Sequence, residues 1–296
     1  MVYDLKYHLT TIVAIFLALA VGILVGSSFI AGSSVKDLEG EFVKIRAENI
    51  QQKKVAEGLS EQVKKHTEFE RAVAPALVDN RLWGRNIAII QTGDYGEATQ
   101  SAKAILEQAG AQVVSVTTLH NMYSNSSNNR MIRALKIING GPIDESNPTS
   151  SVLSIIADCI VNGSNPGAME VLEDNRLLST AGKYDRHVVH MVLVGGSKDG
   201  TLKTSSILDP TLIDKLKAAG VTTLVGVEPL DAGMSFIPAY HVKQIPTVDN
   251  IDQYIGQVGL VYAIHGEPGH FGVKRTSDRV APQSLPGGVL HRGKRW

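Results

Sequence analysis

The sequence predicts an α/β protein in three parts: an apolar membrane helix, a heptad-patterned coiled-coil stalk, and a domain built on a largely parallel sheet. Three observations carry this. From Leu9 to Ala31 there is no charged residue and no proline. Residues 35–72 repeat apolar positions at alternating spacings of three and four. Beyond residue 82, short apolar runs that end in glycine turns alternate with amphipathic segments, the pattern of parallel strands linked by crossover helices.

Residues 1–8 form a short flank before the apolar stretch. As a helix, Leu9–Ala31 rises about 35 Å, enough for a hydrocarbon core about 30 Å thick. Its polar residues, Thr10, Thr11, Ser27 and Ser28, sit only near the ends, so a core helix with a polar stripe does not fit. A cleaved export signal has a shorter apolar stretch of about 7–15 residues and a small-residue cleavage site, whereas Phe29-Ile30-Ala31 is bulky. The expectation is a permanent single-pass anchor. Counting Lys36, Lys44 and Arg46 on its far side would keep the large part cytoplasmic, yet long domains cross largely regardless of such counts. An anchor this close to the N-terminus has the layout of an uncleaved signal-anchor, so the expectation is a cytoplasmic N-terminus and an extracytoplasmic body.

In residues 35–72 the series Val35, Leu38, Phe42, Ile45, Asn49, Gln52, Ala56, Leu59, Val63, His66 follows heptad a and d positions. Asn49 falls at an a position, where a buried amide fixes register in a parallel pair. Leu38, Phe42, Ile45, Asn49, Leu59 and Val63 are therefore the expected seam of a dimer. The alternative is a single solvated helix lying on its own chain. Ala74-Pro75-Ala76 is expected to end the helix.

The body is expected over residues 82–280. "NIAIIQTGDYGEATQSAKAILEQAGAQVVSVTTL" reads strand, glycine turn, helix stopped at Gly110, strand. A mobile polar loop follows, leading to a helix from about Arg130, then core helices over 150–161 and 168–178. A second block repeats the pattern: "HVVHMVLVGGSKDG" is a strand and turn, and "LDPTLIDKLKAAG" is a helix with Asp209 as cap and Pro210 as first helical residue. "VTTLVGVEP" is the next strand. The layer is Rossmann-like. Residues 281–296 read as a basic, disordered tail.

Lys plus Arg and Asp plus Glu number 29 each, so no net charge points to a nucleic-acid partner. One cysteine, Cys159, excludes an internal disulfide and a cysteine-cluster metal site, and in "SIIADCIV" it reads as a core residue. Gly93 and Gly96 after one strand, and Gly195 and Gly196 after another, are candidates to present backbone N–H groups to an anionic ligand. Neither turn fits a dinucleotide or P-loop motif, and such turns also need glycine for backbone reasons alone. His187 and His190 are expected on opposite faces of a strand; His265 and His270, in "HGEPGHFG", could converge on copper. No nucleophile-elbow motif accompanies the Ser, His and Asp residues, so no enzyme is indicated.

Two stretches together resemble a known family. "LKYHLTTIVAIFLALAVGILVGS" is similar to the membrane-entry signature of the family named after the mycobacterial copper transport protein MctB, which also contains the corynebacterial division-associated protein SteB. "IPTVDNIDQYIGQVGLVYAIHGEPGHFGVK" is similar to that family's C-terminal block. There Pro246, Thr247, Val248, Asp249, Asn250, Asp252, Gly256 and Gln257 precede an apolar helix, and Gly269-His270-Phe271-Gly272 closes the block. The resemblance implies an anchored envelope protein tied to copper transport or to cell-envelope assembly, and brings no catalytic residues with it. Asp249, Asn250 and Asp252 are ligand candidates, or else caps of a helix starting near Ile251. A single uncharged span cannot line a pore alone, so copper transport would require an oligomer. The readings are thus a dimeric membrane-anchored scaffold or binding module with an envelope-protein partner, a copper transport component, or a small-molecule sensor using the glycine turns.

Overall fold

The computed structural model describes residues 5–120, 125–143, 145–200 and 205–285. The chain divides into two compact units, Met1–His66 and Thr67–Trp296. Helix α1 (Leu5–Val78) supplies all of the described part of the first unit. Within it, Tyr7–Ser27 has a mean hydropathy of 2.6 with none of it buried, and is long and apolar enough to cross a membrane. The side chains of Val35 and Leu38 lie outside the described residues. Phe42, Ile45, Leu59 and Val63 are all more than half exposed. Val43 and Ile50 are exposed as well.

The helix does not stop at Ala74-Pro75-Ala76 but runs to Val78 with Pro75 inside it. An interior proline costs about 3 kcal/mol. Ala74 and Val78, both buried against the body's core, hold the last turn in place against that cost.

In the second unit a turn leads from α1 to β1 (Asn86–Gln91), followed by α2 (Gly96–Gln108) and β2 (Gln112–Leu119), the expected βαβ unit. Then come α3 (Asn125–Asn139), α4 (Pro148–Asn162), α5 (Pro166–Asp174) and β3 (Leu178–Gly182). The second block contains β4 (His190–Val194), α6 (Ser205–Ala219), β5 (Thr223–Val227), α7 (Ile237–Val242), β6 (Thr247–Val248), α8 (Tyr254–His265) and β7 (His270–Phe271).

The seven strands form one sheet in the order β3-β2-β1-β4-β5-β6-β7. Every pairing is parallel except β2 with β3. Strand β1 shows why the middle is continuously apolar. Ala88 and Ile90 face a core layer that includes α4 and α6, while Ile87 and Ile89 face one that includes α2 and α8. The Rossmann-like reading is borne out.

Four local readings need correction. The Asn- and Ser-rich stretch is helical from Asn125, with Ser127 fully buried, because Met131, Ala134 and Leu135 give α3 an apolar face. The helix expected over 168–178 ends at Asp174, and Leu178 instead opens β3, an antiparallel edge strand. His187 lies exposed before β4 rather than on it. Asp209 is not a cap but lies inside α6, fully buried. At the other end Ala281 is buried and Leu285 packs on the core, while the tail from residue 286 lies outside the described residues.

Candidate functional site

In an open parallel sheet, ligands bind beyond the carboxyl ends of the strands where the winding reverses. Here that point lies between β1 and β4, and the two glycine turns meet there. The N–H groups of Thr92 and Gly93 both donate to the Val194 carbonyl, at 2.9 and 3.1 Å. Gly195 N–H donates to Val227, and Ser197 exchanges hydrogen bonds with Met234. Asp94 accepts from the Lys198 N–H at 3.0 Å and from the Ser197 hydroxyl at 3.1 Å. Most N–H groups that could face an anion are thus spent between the turns. A Cβ on Gly93 would fall 2.2 Å from the Gly196 carbonyl, so close backbone approach dictates that glycine. Gly96, the first residue of α2, has open space around it.

Behind the turns sits a buried acid. The Asp209 carboxylate accepts from the Tyr240 hydroxyl at 2.7 Å and the Thr92 hydroxyl at 2.9 Å, both on Oδ2. Its Oδ1 is buried without a partner. Burial pushes the acid up to about 7, against the pull of the two hydroxyls. Tyr240 lies across Gly195 and Gly226, where an added Cβ would come within 2.2 and 2.3 Å of it.

The carboxyl ends of β5, β6 and β7 carry a second polar group. Glu228, fully buried, accepts from Ser235 Oγ at 2.7 Å, the Phe236 N–H at 2.8 Å and Lys274 Nζ at 2.7 Å. Asp249 accepts from the Val273 N–H at 2.9 Å and the Lys274 N–H at 3.2 Å. Gly272, at φ +141°, is needed there because a Cβ would overlap the Asp249 carboxylate. Asp252 accepts from the Leu230 N–H at 2.7 Å. Asn250 donates to Gln253 while its own carbonyl oxygen is buried without a partner. None of these three side chains caps α8, whose cap residue is Gln253 and makes no side-chain cap bond. Asp252 ties the C-terminal block to the loop after β5, while the Asp249 and Asn250 side chains bond within the block.

His265 and His270 have different neighbours. His265 Nδ1 meets the Arg81 carbonyl at 3.1 Å. His270 stacks on His241, ring centroids 3.7 Å apart and planes tilted by 35°. Thr247 Oγ1 lies 3.2 Å from His241 Nε2 and 2.9 Å from His270 Nδ1. Burial and the neighbouring His270 lower the pKa of His241. Cys159 is buried, and its thiol is pushed up to about 11 chiefly by burial, so it is a poor thiolate donor. Sequence reasoning missed Glu228, Lys274, Tyr240 and His241. Only Glu228 left a local signal, as a charge directly after an apolar strand. The others converge from distant positions.

Comparison with known proteins places the chain. Residues 1–282 match the family model described as "Copper transport outer membrane protein, MctB". Similar curated proteins include "Copper transporter MctB" of Mycobacterium tuberculosis, and the protein of that name from Mycobacterium bovis, each 21% identical over 303 residues. The protein of that name from Mycobacterium leprae is 24% identical over 311 residues, and all three alignments cover 91% of this chain and 96% of the relative. With the match running through helix α1 and the α/β unit alike, this chain belongs to the MctB family.

Proposed function

We propose that this chain is a single-pass membrane protein in which residues 9–31 anchor, residues 35–72 pair two copies in parallel, and the body over residues 82–280 works outside the membrane as a non-enzymatic binding or scaffolding module for another envelope protein. The observation that carries this is the exposed, uncharged helix Tyr7–Ser27, followed on the same helix by an exposed apolar seam at Phe42, Ile45, Leu59 and Val63. Side chains of this size gain about 1.5–3 kcal/mol each on full burial, so an unpaired seam leaves a large stabilisation unused. Asn49 sets the register. Washing membranes at alkaline pH tests the anchor: the full chain stays with the lipid, and a chain lacking residues 1–34 is released. Release of the full chain refutes it. A C-terminal reporter active only outside the cytoplasm tests the orientation.

The relatives' name favours a second reading, copper handling, in which the paired chains act together because one uncharged span cannot form a pore. Copper accumulation in cells lacking the protein, restored by the full chain, supports it; unchanged accumulation refutes it.

A further inference from the structure

We propose that His241 and His270 form a two-imidazole copper(II) site linking α7 to β7, above the buried Thr247 hydroxyl. The proposal rests on the copper reading above and assigns it a place. The two rings come from residues far apart in sequence, yet they are stacked at 3.7 Å, and one nitrogen of each converges on the same hydroxyl oxygen. A hydroxyl has one proton and two lone pairs, so at most one of those nitrogens accepts from Thr247 and the other donates its N–H to the oxygen; binding an ion moves that proton to the ring's other nitrogen, the second tautomer of a neutral imidazole. Both rings are only partly buried, which leaves the ion a way in.

Imidazole binds a first-row divalent ion at about 2.0–2.1 Å, so two nitrogens on one ion are at most about 4 Å apart. The rings, with centroids 3.7 Å apart, each aim one nitrogen at the Thr247 hydroxyl, and ring rotations would replace those bonds by bonds to a shared ion. The donor set selects the ion. Imidazole without thiolate or thioether suits copper(II) over copper(I), and copper(II) stands highest among divalent ions for such donors. Among the described residues no group of three or more His, Cys, Asp or Glu is arranged to hold a metal ion. The pair therefore supplies two ligands, and water or a small anion completes the coordination. Such an open site exchanges its ion readily. Asp278 steadies the strand that carries one ring, accepting from the His270 N–H at 3.3 Å and returning its own N–H to the His270 carbonyl at 2.8 Å.

The test uses the full chain in detergent, titrated with copper(II) and followed by electron spin-echo spectroscopy, which detects coordinated imidazole nitrogen. The expected result is one ion per chain with imidazole coordination, weakened at least tenfold in H241A and in H270A and unchanged in H265A. Thermal unfolding checks that each variant folds. If H270A does not, H241A decides, because His241 sits in the last turn of a helix and the only described hydrogen bond of its side chain is to Thr247. Unchanged affinity in H241A, or loss in H265A instead, overturns this site while leaving a copper role standing. A wild-type chain that takes up no copper, or shows no imidazole coordination, overturns the site outright; stalk pairing and membrane anchoring are read by separate assays and are untouched by that result.

Discussion

Replacing Asp209 with asparagine should remove a specific pH dependence of stability. The carboxyl has an ordinary value of 3.8 and is raised to about 7 in the folded chain, chiefly by burial. Between those values the folded state holds a proton that the unfolded state has released. The stabilisation is therefore complete below about pH 3.8 and is lost as pH rises through 7. At about 1.4 kcal/mol per pH unit, the interval from 3.8 to about 7 corresponds to roughly 4 kcal/mol. In D209N the amide oxygen can still accept from Thr92 and Tyr240, and its nitrogen replaces the oxygen that has no partner. That replacement adds a constant offset but no slope. Urea unfolding of the full chain in detergent, followed by far-ultraviolet circular dichroism from pH 4.5 to 8, gives stability for both proteins. The difference should move in favour of D209N by about 2–4 kcal/mol across the range. All other titrating groups are shared and cancel. Parallel curves would refute the claim that Asp209 is neutral in the acid-side folded state.

Three further outcomes follow from the same packing. K274M leaves the buried Glu228 carboxylate with only Ser235 and the Phe236 N–H, and should cost about 3–5 kcal/mol in urea unfolding. Adding E228Q should recover part of that loss by removing the unpaired charge. G226A drives a Cβ to 2.3 Å from the buried Tyr240 ring and should lower the unfolding midpoint, by about 1–3 kcal/mol or more of stability. L59D puts a charge into the proposed seam and should convert the detergent-solubilised chain from dimer to monomer in light scattering, with the body's unfolding midpoint unchanged.

Much of the fold could be read from periodicity. The β1–α2–β2 unit was legible because Ile87–Ile90 is apolar without a break and Ala102, Ile105 and Leu106 share one helix face. What periodicity cannot see is an element defined by its neighbours. Strand β3 is short, largely exposed and at the sheet edge, so its residues carry no apolar alternation to separate it from α5. Asp209 before Pro210 has the local pattern of a helix cap, and only the arrival of Tyr240 and Thr92 gives the acid a place inside. The glycine turns were legible as turns. Their mutual contact was not, because Gly93 and Gly196 meet only once β1 and β4 are side by side. The same applies to His270, whose stacking partner His241 comes from α7 rather than from the nearby His265.

Pairing of two membrane-anchored chains through the stalk is tested most directly by cysteine cross-linking in intact membranes. In a C159S background, single cysteines placed along residues 42–63 and oxidised mildly should form covalent dimers at positions 42, 45, 49, 52, 56, 59 and 63, and little at positions 44, 47 and 54 between them. Cross-linking without that heptad spacing, or none at any position, would contradict a parallel paired stalk.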